Sequence, residues 1–284
     1  MEQVINLSPV KSANLSGAKQ TYLLCDSEGF ANAAEPLAYN SHSDASWVGR
    51  MGKEESIRCI RQGDLSGVSK SDQFMAKLED QIFVGTGYKN IYDVVGAIPS
   101  VPAYIAGVPE CMRRRHRVAT ESSPLAICVD LTSSGGIDAN HVMTRGTAIL
   151  ALVRLLSSIR PIELYANVAL GRQGFACEIV CKIETAPLDL ARAAHILTHP
   201  SVSRGLGYAI CQQRFRSGGH WPFDLIDTHR RTARESLMRI LPCQDLLYMP
   251  PVFARDNAIN NPVQWIKTML KQYGGPSVVL EESR

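Results

Sequence analysis

The pattern of apolar and polar positions is clearest near the middle of the chain. The run Leu125–Asp130 is apolar until its final acid. It lacks the alternation of apolar and polar residues that is typical of a strand with one solvent-exposed face. It predicts a strand that is covered on both sides in a parallel sheet. A loop of small hydroxyl and glycine residues follows, and apolar positions then recur at helical spacing from Val142 to Leu155. Asp138 is placed to cap this helix, so a polar loop should lie at the carboxyl edge of the sheet, where ligands bind.

The rest of the C-terminal half continues this alternation of strands and helices. We predict strands over 162–169, 175–183, 245–249 and 277–280, and helices over 189–197, 201–213, 224–241 and 262–273. The second and third strands are separated by a short turn, which favours an antiparallel pair. Residues 121–284 are therefore predicted to form an α/β domain: a doubly wound, mainly parallel sheet with helices on both faces.

The first 120 residues show a weaker pattern. A brief strand is predicted over 22–25, with helices over 53–62 and 69–83. Prolines at 99, 102 and 109 exclude a continuous helix in the stretch that follows. We expect residues 1–120 to form an irregular, partly helical region that packs on the main domain and shares its core.

Composition and charge narrow the class of protein. A hydrophobic content of 45% and a charged content of 20% are typical of a globular chain, and a net charge of +3 is too small to indicate nucleic-acid binding by itself. The eight cysteines include several inside apolar runs, which favours buried, reduced thiols. No membrane-spanning run and no secretory start are recognised, so we expect a cytoplasmic protein.

One dense basic run precedes the first predicted core strand. It contains Arg113, Arg114, Arg115, His116 and Arg117. Such a run is able to contact nucleic acid or an acidic partner, but it is also typical of a solvated linker. Because no aromatic residue for base stacking is interleaved, the linker is the favoured interpretation.

The candidate metal-binding residues lie at the end of Leu125–Asp130 and in the loop that follows. Asp130, Thr132 and Ser134 form the pattern D-x-T-x-S. An acid and two hydroxyls suit a hard divalent cation, which takes oxygen ligands and leaves positions for water or a partner. The alternative is that these side chains only cap the turn and the following helix.

This D-x-T-x-S pattern resembles the D-x-S-x-S motif of von Willebrand factor A-like domains. The resemblance implies a magnesium site completed by a threonine and an acid from later loops. Thr185, Ser201 or Ser203 matches the threonine, and Asp256 matches the acid. Pro250-Pro251 replaces the family's usual Asp-Gly after the fourth strand, so the resemblance implies a degenerate site that binds magnesium weakly.

Zinc is not expected, although Cys177, Cys181, His195 and His199 approach a zinc-finger spacing. The two cysteines fall in one predicted strand, where residues four apart are separated by about 13 Å. Ligands of one zinc ion must lie much closer, since Zn–S bonds are about 2.3 Å long.

Two stretches, DVVGAIPSVPAYIAGVPECM and TRGTAILALVRLL, resemble uncharacterised proteins of bacteriophages and plasmids. The preferred function is a non-enzymatic protein-binding or assembly factor that uses the carboxyl edge, including Ser133, and the arginines at 113–115. The alternative is a metal-dependent enzyme acting on phosphoesters or nucleic acid. The binding function is preferred because such enzymes hold their metals with several carboxylates, and the sequence shows no clear pair of acids near the predicted edge.

Overall fold

A computed structural model of the chain describes residues 2–6, 20–38, 45–79, 82–84, 88–96, 98–117, 124–172, 175–214, 233–253, 256–274 and 278–280. The strands are β1 (Glu2–Asn6), β2 (Gln20–Asp26), β3 (Ile82–Val84), β4 (Tyr88–Asp93), β5 (Ile98–Pro99), β6 (Met112–Arg117), β7 (Leu125–Asp130), β8 (Ile162–Arg172), β9 (Phe175–Ile183), β10 (Asp245–Met249) and β11 (Val278–Leu280). The helices are α1 (Ser27–Ala34), α2 (Lys53–Gln62), α3 (Ser66–Glu79), α4 (Val101–Ile105), α5 (Ala139–Ile159), α6 (Leu190–Thr198), α7 (Tyr208–Arg214), α8 (Ala233–Ile240), α9 (Asn257–Asn260) and α10 (Pro262–Tyr273). A π-helix, Ser201–Gly207, leads into α7.

The centre of the fold is a six-stranded sheet with the order β1-β2-β9-β8-β7-β10. All neighbouring strands are parallel except β8 and β9, which pair antiparallel. This is the predicted α/β architecture with a mainly parallel sheet. Strand β7 lies inside the sheet between β8 and β10, and all six of its residues are buried. The absence of polar alternation in its sequence is thereby explained.

Helices cover both faces of the sheet. On one face, Leu125, Ile127 and Val129 of β7 belong to a large core with α5, α6 and α10. On the other face, Ala126 and Cys128 belong to a smaller cluster that includes α8. Helix α8 is shorter than the predicted 224–241, but residues 215–232 lie outside the described part of the chain.

Helix α5 is the central helix of the larger core. Asp138 caps it as predicted, because its side chain accepts a hydrogen bond from the backbone N–H of His141 at 2.8 Å. Among the described residues, α5 alone is long and apolar enough to cross a membrane, which the sequence analysis overlooked. Since 67% of its most apolar window is buried inside the fold, α5 packs as a core helix.

Residues from the N-terminal part of the chain enter the same sheet and core. Strand β2 pairs with β9, and β1 pairs with β2 at the sheet edge. Leu23, Phe30 and Ile60 are buried in the core that contains α5. The sequence analysis predicted the strand at 22–25 and helix α2, but it did not place β1 and β2 in the main sheet, because strand pairing between distant segments leaves no local pattern.

Two small sheets complete the fold. Strand β11 pairs antiparallel with β3, so the predicted last strand is present but lies outside the main sheet. Strands β4, β6 and β5 form a three-stranded antiparallel sheet. The basic run at 113–117, interpreted as a linker, is therefore a strand, and this part of the interpretation was wrong.

Candidate functional site

The candidate site begins at the end of β7, where Asp130 is only 1% exposed. Its Oδ1 accepts hydrogen bonds from the backbone N–H of Thr132 at 2.9 Å and from the Thr132 hydroxyl. Its Oδ2 accepts from the Tyr248 hydroxyl at 3.1 Å and from Asn167 Nδ2 at 3.5 Å. Burial raises the pKa of Asp130 to about 6, against the opposing effect of the bonds from Thr132 and Tyr248.

This carboxylate belongs to a row of polar groups that crosses the sheet. Asn167 of β8 also donates to Glu178 Oε2 of β9 at 3.3 Å, and Glu178 is 1% exposed. Tyr248 extends the row to β10, and burial together with the Asp130 charge raises its pKa. Hydrogen bonds within the row offset part of the cost of burying two carboxyl groups.

The loop after β7 is joined to the loop after β10. The backbone N–H of Val252 donates to the Thr132 carbonyl at 2.9 Å, and the N–H of Ser134 donates to the Val252 carbonyl at 3.2 Å. These bonds extend the pairing of β7 and β10 past the ends of both strands. They fix the D-x-T-x-S loop at the carboxyl edge, as the sequence predicted.

Arg145 of α5 lies between the two loops and is 4% exposed. Its Nε donates to Asp256 Oδ2 at 2.8 Å, its Nη1 donates to the Asp130 carbonyl at 3.2 Å, and its Nη2 donates to the Pro250 carbonyl. Asp256 also accepts from the N–H of Ala258 at 2.8 Å and so caps α9. Burial lowers the pKa of Arg145, and the Asp256 charge opposes that shift.

These contacts test whether the residues suit a divalent cation. Both oxygens of Asp130 already accept hydrogen bonds, and the charge of Asp256 is neutralised by Arg145. A cation that used both acids would have to displace the guanidinium from a buried ion pair, which is costly. The arrangement fits a hydrogen-bonded turn better than a complete metal site, and weak magnesium binding stays a prediction.

The candidates for the family's threonine fall in different places. Thr185 donates to the carbonyl of Ile162 at 2.8 Å, at the start of β8. Asp130 is in register with Asn167, five residues further along β8, so Thr185 lies at the opposite edge of the sheet and its assignment was wrong. The Ser201 hydroxyl is bonded to Ser56 at 2.7 Å, deep in the fold.

Arg204, the second buried arginine, lines a neighbouring cavity of about 660 Å³, and Ser133 is its hydrogen-bond partner. Arg204 of the π-helix donates to the Ser133 hydroxyl from Nε at 3.0 Å and from Nη2 at 2.8 Å. The segment from Ser46 to Arg50 and the start of α5 line the other sides. Ser134, by contrast, contributes its backbone to the joined loops.

The arginines of the basic run lie elsewhere, on β6. Arg114 is half exposed, and its Nη1 lies 3.5 Å from Asp93 Oδ2. The side chains of Arg113 and Arg115 lie outside the described part of the structure. The run is therefore separate from the D-x-T-x-S loop in the chain's topology, and the two predicted surfaces do not share a strand.

Sequence reasoning missed three residues of the edge: Arg145, Arg204 and Tyr248. Arg145 and Arg204 each stand among small or apolar neighbours, in TRGTA and SVSRGLG. A charged residue inside a segment that is otherwise suited to burial is a signal of a specific partner. Tyr248 gave no such signal, because a tyrosine is ordinary in a strand.

Comparison with protein families matches residues 19–276 to the family described as Domain of unknown function (DUF7192). The match begins just before β2 and continues past α10, so it includes five strands of the main sheet and the whole carboxyl edge. Neither the curated proteins nor the solved structures gave a match. Because the match covers well over half of the sequence, this chain belongs to the DUF7192 family.

Proposed function

We propose that the chain is a non-enzymatic protein-binding or assembly factor. The observation that supports this proposal is a cluster of exposed apolar side chains around β4, β5 and α4. Of the nine large hydrophobic residues that are exposed in the described part of the chain, eight lie between Tyr92 and Val108. We call these eight residues the apolar surface: Tyr92, Val94, Val95, Ile98, Val101, Tyr104, Ile105 and Val108.

The apolar surface is built on a small folded unit. The segment between β4 and β6 returns on itself, because β5 pairs with β6 and the N–H of Ser100 donates to the Cys111 carbonyl at 2.7 Å. Tyr104 and Ile105 of α4 are 72% and 78% exposed, and α4 has no buried residue. Single exposed apolar residues are common, but a concentration of this kind supports a role as a binding surface.

The composition of the neighbouring strand suggests the chemistry of the partner. Strand β6 carries the basic run and pairs with both β4 and β5. An apolar centre beside arginines matches a partner with an apolar patch and an acidic rim. The proposed protein partner would therefore contact the apolar surface and the arginines at 113–115 together.

The carboxyl edge, with Ser133 and the D-x-T-x-S loop, is proposed as a second contact surface. The antiparallel β8–β9 pair and its short connection support the resemblance to von Willebrand factor A-like domains. From this and the phage and plasmid resemblances, we propose a phage- or plasmid-encoded protein of the host cytoplasm. The enzymatic alternative receives less support, since the acid proposed as its second metal ligand is paired with Arg145.

A substitution experiment tests the proposal. Replacement of Tyr104 and Ile105 by serine should abolish recovery of the partner from native cells and leave the fold unchanged, because neither side chain is buried. The matched control replaces Gln264 and Thr268, which are exposed on α10, by serine. Equal recovery by both double variants would argue against the apolar surface as the binding site.

A further inference from the structure

The cavity beside Ser133 has the size and charge of a site for a small anionic ligand. Its volume of about 660 Å³ lies within the range typical of small-molecule sites, roughly 300–1,000 Å³. It opens at the carboxyl edge of the sheet, between the turn at 45–50 and the loop before α5. Two arginines, Arg50 and Arg204, are among its lining residues.

Arg204 is a buried cation whose described hydrogen-bond acceptors are all neutral. It is 4% exposed, and it donates to the Ser133 hydroxyl and to the carbonyls of Trp47 and Ile137. Its guanidinium also lies over the Trp47 ring, 5.1 Å from the ring centre. Burial lowers the pKa of Arg204 to about 10. A buried charge without an opposite charge is costly, and an anion in the cavity would supply the missing one.

The acid that lines the cavity is already engaged. Asp138 caps α5 through the N–H of His141, and its Oδ2 lies 3.0 Å from His141 Nδ1. The charge of Asp138 raises the pKa of Arg204 from a distance, without an ion pair between the two side chains. Within the described part of the chain, neither Arg50 nor Arg204 is within ion-pairing distance of a carboxylate.

Two backbone features shape the walls of the cavity. Arg50 has a φ of 61°, in the left-handed region that is uncommon for a residue with a side chain, and its N–H donates to the Ala45 carbonyl at 2.7 Å. On the opposite wall, Gly135 and Gly136 have open space where a Cβ would lie. A ligand can therefore approach their backbone closely, next to the N-terminus of α5.

We propose that this cavity binds the phosphate group of a small molecule through Arg50, Arg204 and the backbone at Gly135–Gly136. Arginine is suited to this role because its planar fork of N–H donors matches the oxygens of a phosphate. The site is separate from the apolar surface. It opens at the carboxyl edge that is proposed as a second contact surface, but phosphate binding there does not require a protein partner.

Nuclear magnetic resonance with inorganic phosphate as the probe tests the site at constant ionic strength. The amide signals of Gly135 and Gly136 should shift in a saturable way. Arg50→Gln should weaken binding about tenfold, since it removes one charged contact. Arg58→Gln is the matched control, because it removes the same charge from an exposed position on α2.

Several results would overturn the proposal. These are the absence of saturable shifts in the intact protein, equal weakening by both substitutions, or tighter binding of acetate than of phosphate. Arg204→Lys provides a second variant, which keeps the positive charge but lacks the planar N–H donors of the guanidinium group. It should weaken phosphate binding while circular dichroism shows an intact fold. Unchanged binding in a folded Arg204→Lys protein would also count against the site.

Discussion

At the scale of single residues, the fold depends on one glycine in the middle of α5. A Cβ added at Gly146 would lie 2.5 Å from Thr198 Cα and 2.8 Å from the carbonyl carbon of Leu197, and closer still to the Leu197 oxygen. Helices α5 and α6 therefore approach each other more closely there than a side chain allows. The sequence TRGTA contained this glycine, but a glycine in a helix does not reveal which element lies against it.

Replacement of Gly146 by alanine should lower the free energy of unfolding by about 1–3 kcal/mol, because the new methyl group forces packed backbone apart. In an open helix the same change would instead stabilise the protein by about 1 kcal/mol. Urea denaturation measures the difference. Gly135→Ala is the control, since its Cβ would meet nothing within 4 Å. A stabilised Gly146→Ala protein would contradict the close approach.

Asp130 and Asp256 allow a prediction for magnesium. Because one carboxylate is fully hydrogen-bonded and the other is paired with Arg145, we expect any magnesium binding to be weak, with a Kd on the order of millimolar. Calorimetric titration of the intact protein, with Asp130→Ala and the isosteric Asp130→Asn beside it, gives the measurement. Tight binding that both substitutions abolish would restore a complete metal site.

At the scale of elements, the C-terminal end of α6 carries two stacked histidines. The rings of His195 and His199 lie 5.2 Å apart, and His195 is 1% exposed. Burial lowers the pKa of His195 to about 3, and the neighbouring His199 contributes in the same direction. Burial also lowers the pKa of His199 to about 4. Both rings are therefore neutral in the folded protein at pH 5, where they are mostly charged in the unfolded chain.

Stability should consequently fall as the pH is lowered from 7 to 5. The unfolded chain takes up protons below pH 6.5 while the folded protein does not, so His195 alone should account for a loss of about 2 kcal/mol by pH 5. Urea denaturation at pH 7 and pH 5 measures the loss in the free energy of unfolding between the two values. In His195→Gln this loss should be smaller than in the unmodified protein by about 2 kcal/mol. Exposed His141 provides the control substitution. An unchanged pH dependence in His195→Gln would refute the assignment.

Some elements of the fold could be predicted from the sequence, and others could not. Strand β7 was predicted with its observed bounds, since a fully buried strand has a distinctive apolar run. The carboxyl edge was found for the same reason. The ion pair between Arg145 and Asp256 could not be predicted, because it joins residues 111 positions apart through their packing. The antiparallel sheet at 88–117 was missed since its prolines and glycines resemble those of an irregular segment.

At the scale of the whole molecule, a buried α/β core supports two separate surfaces. The core unites N-terminal strand β2 with the strands on both sides of the carboxyl edge. The cavity with its arginines lies at that edge, whereas the apolar surface lies on the small sheet of β4, β5 and β6. Under the proposed function, the core would be a stable scaffold for the apolar surface, because the exposed residues of α4 contribute no buried side chain to the core.

Site-specific photo-crosslinking is the sharpest test of whether the apolar surface binds another protein. A photo-reactive phenylalanine analogue would replace Tyr104 or Ile105 in cells that naturally contain the protein, with Gln264 and Thr268 as exposed control positions. Both positions on α4 should crosslink to the same protein, which is either a different chain or a second copy of this one. The control positions should not crosslink to it. Failure of both α4 positions to form an adduct, or the same adduct from all four positions, would contradict the claim.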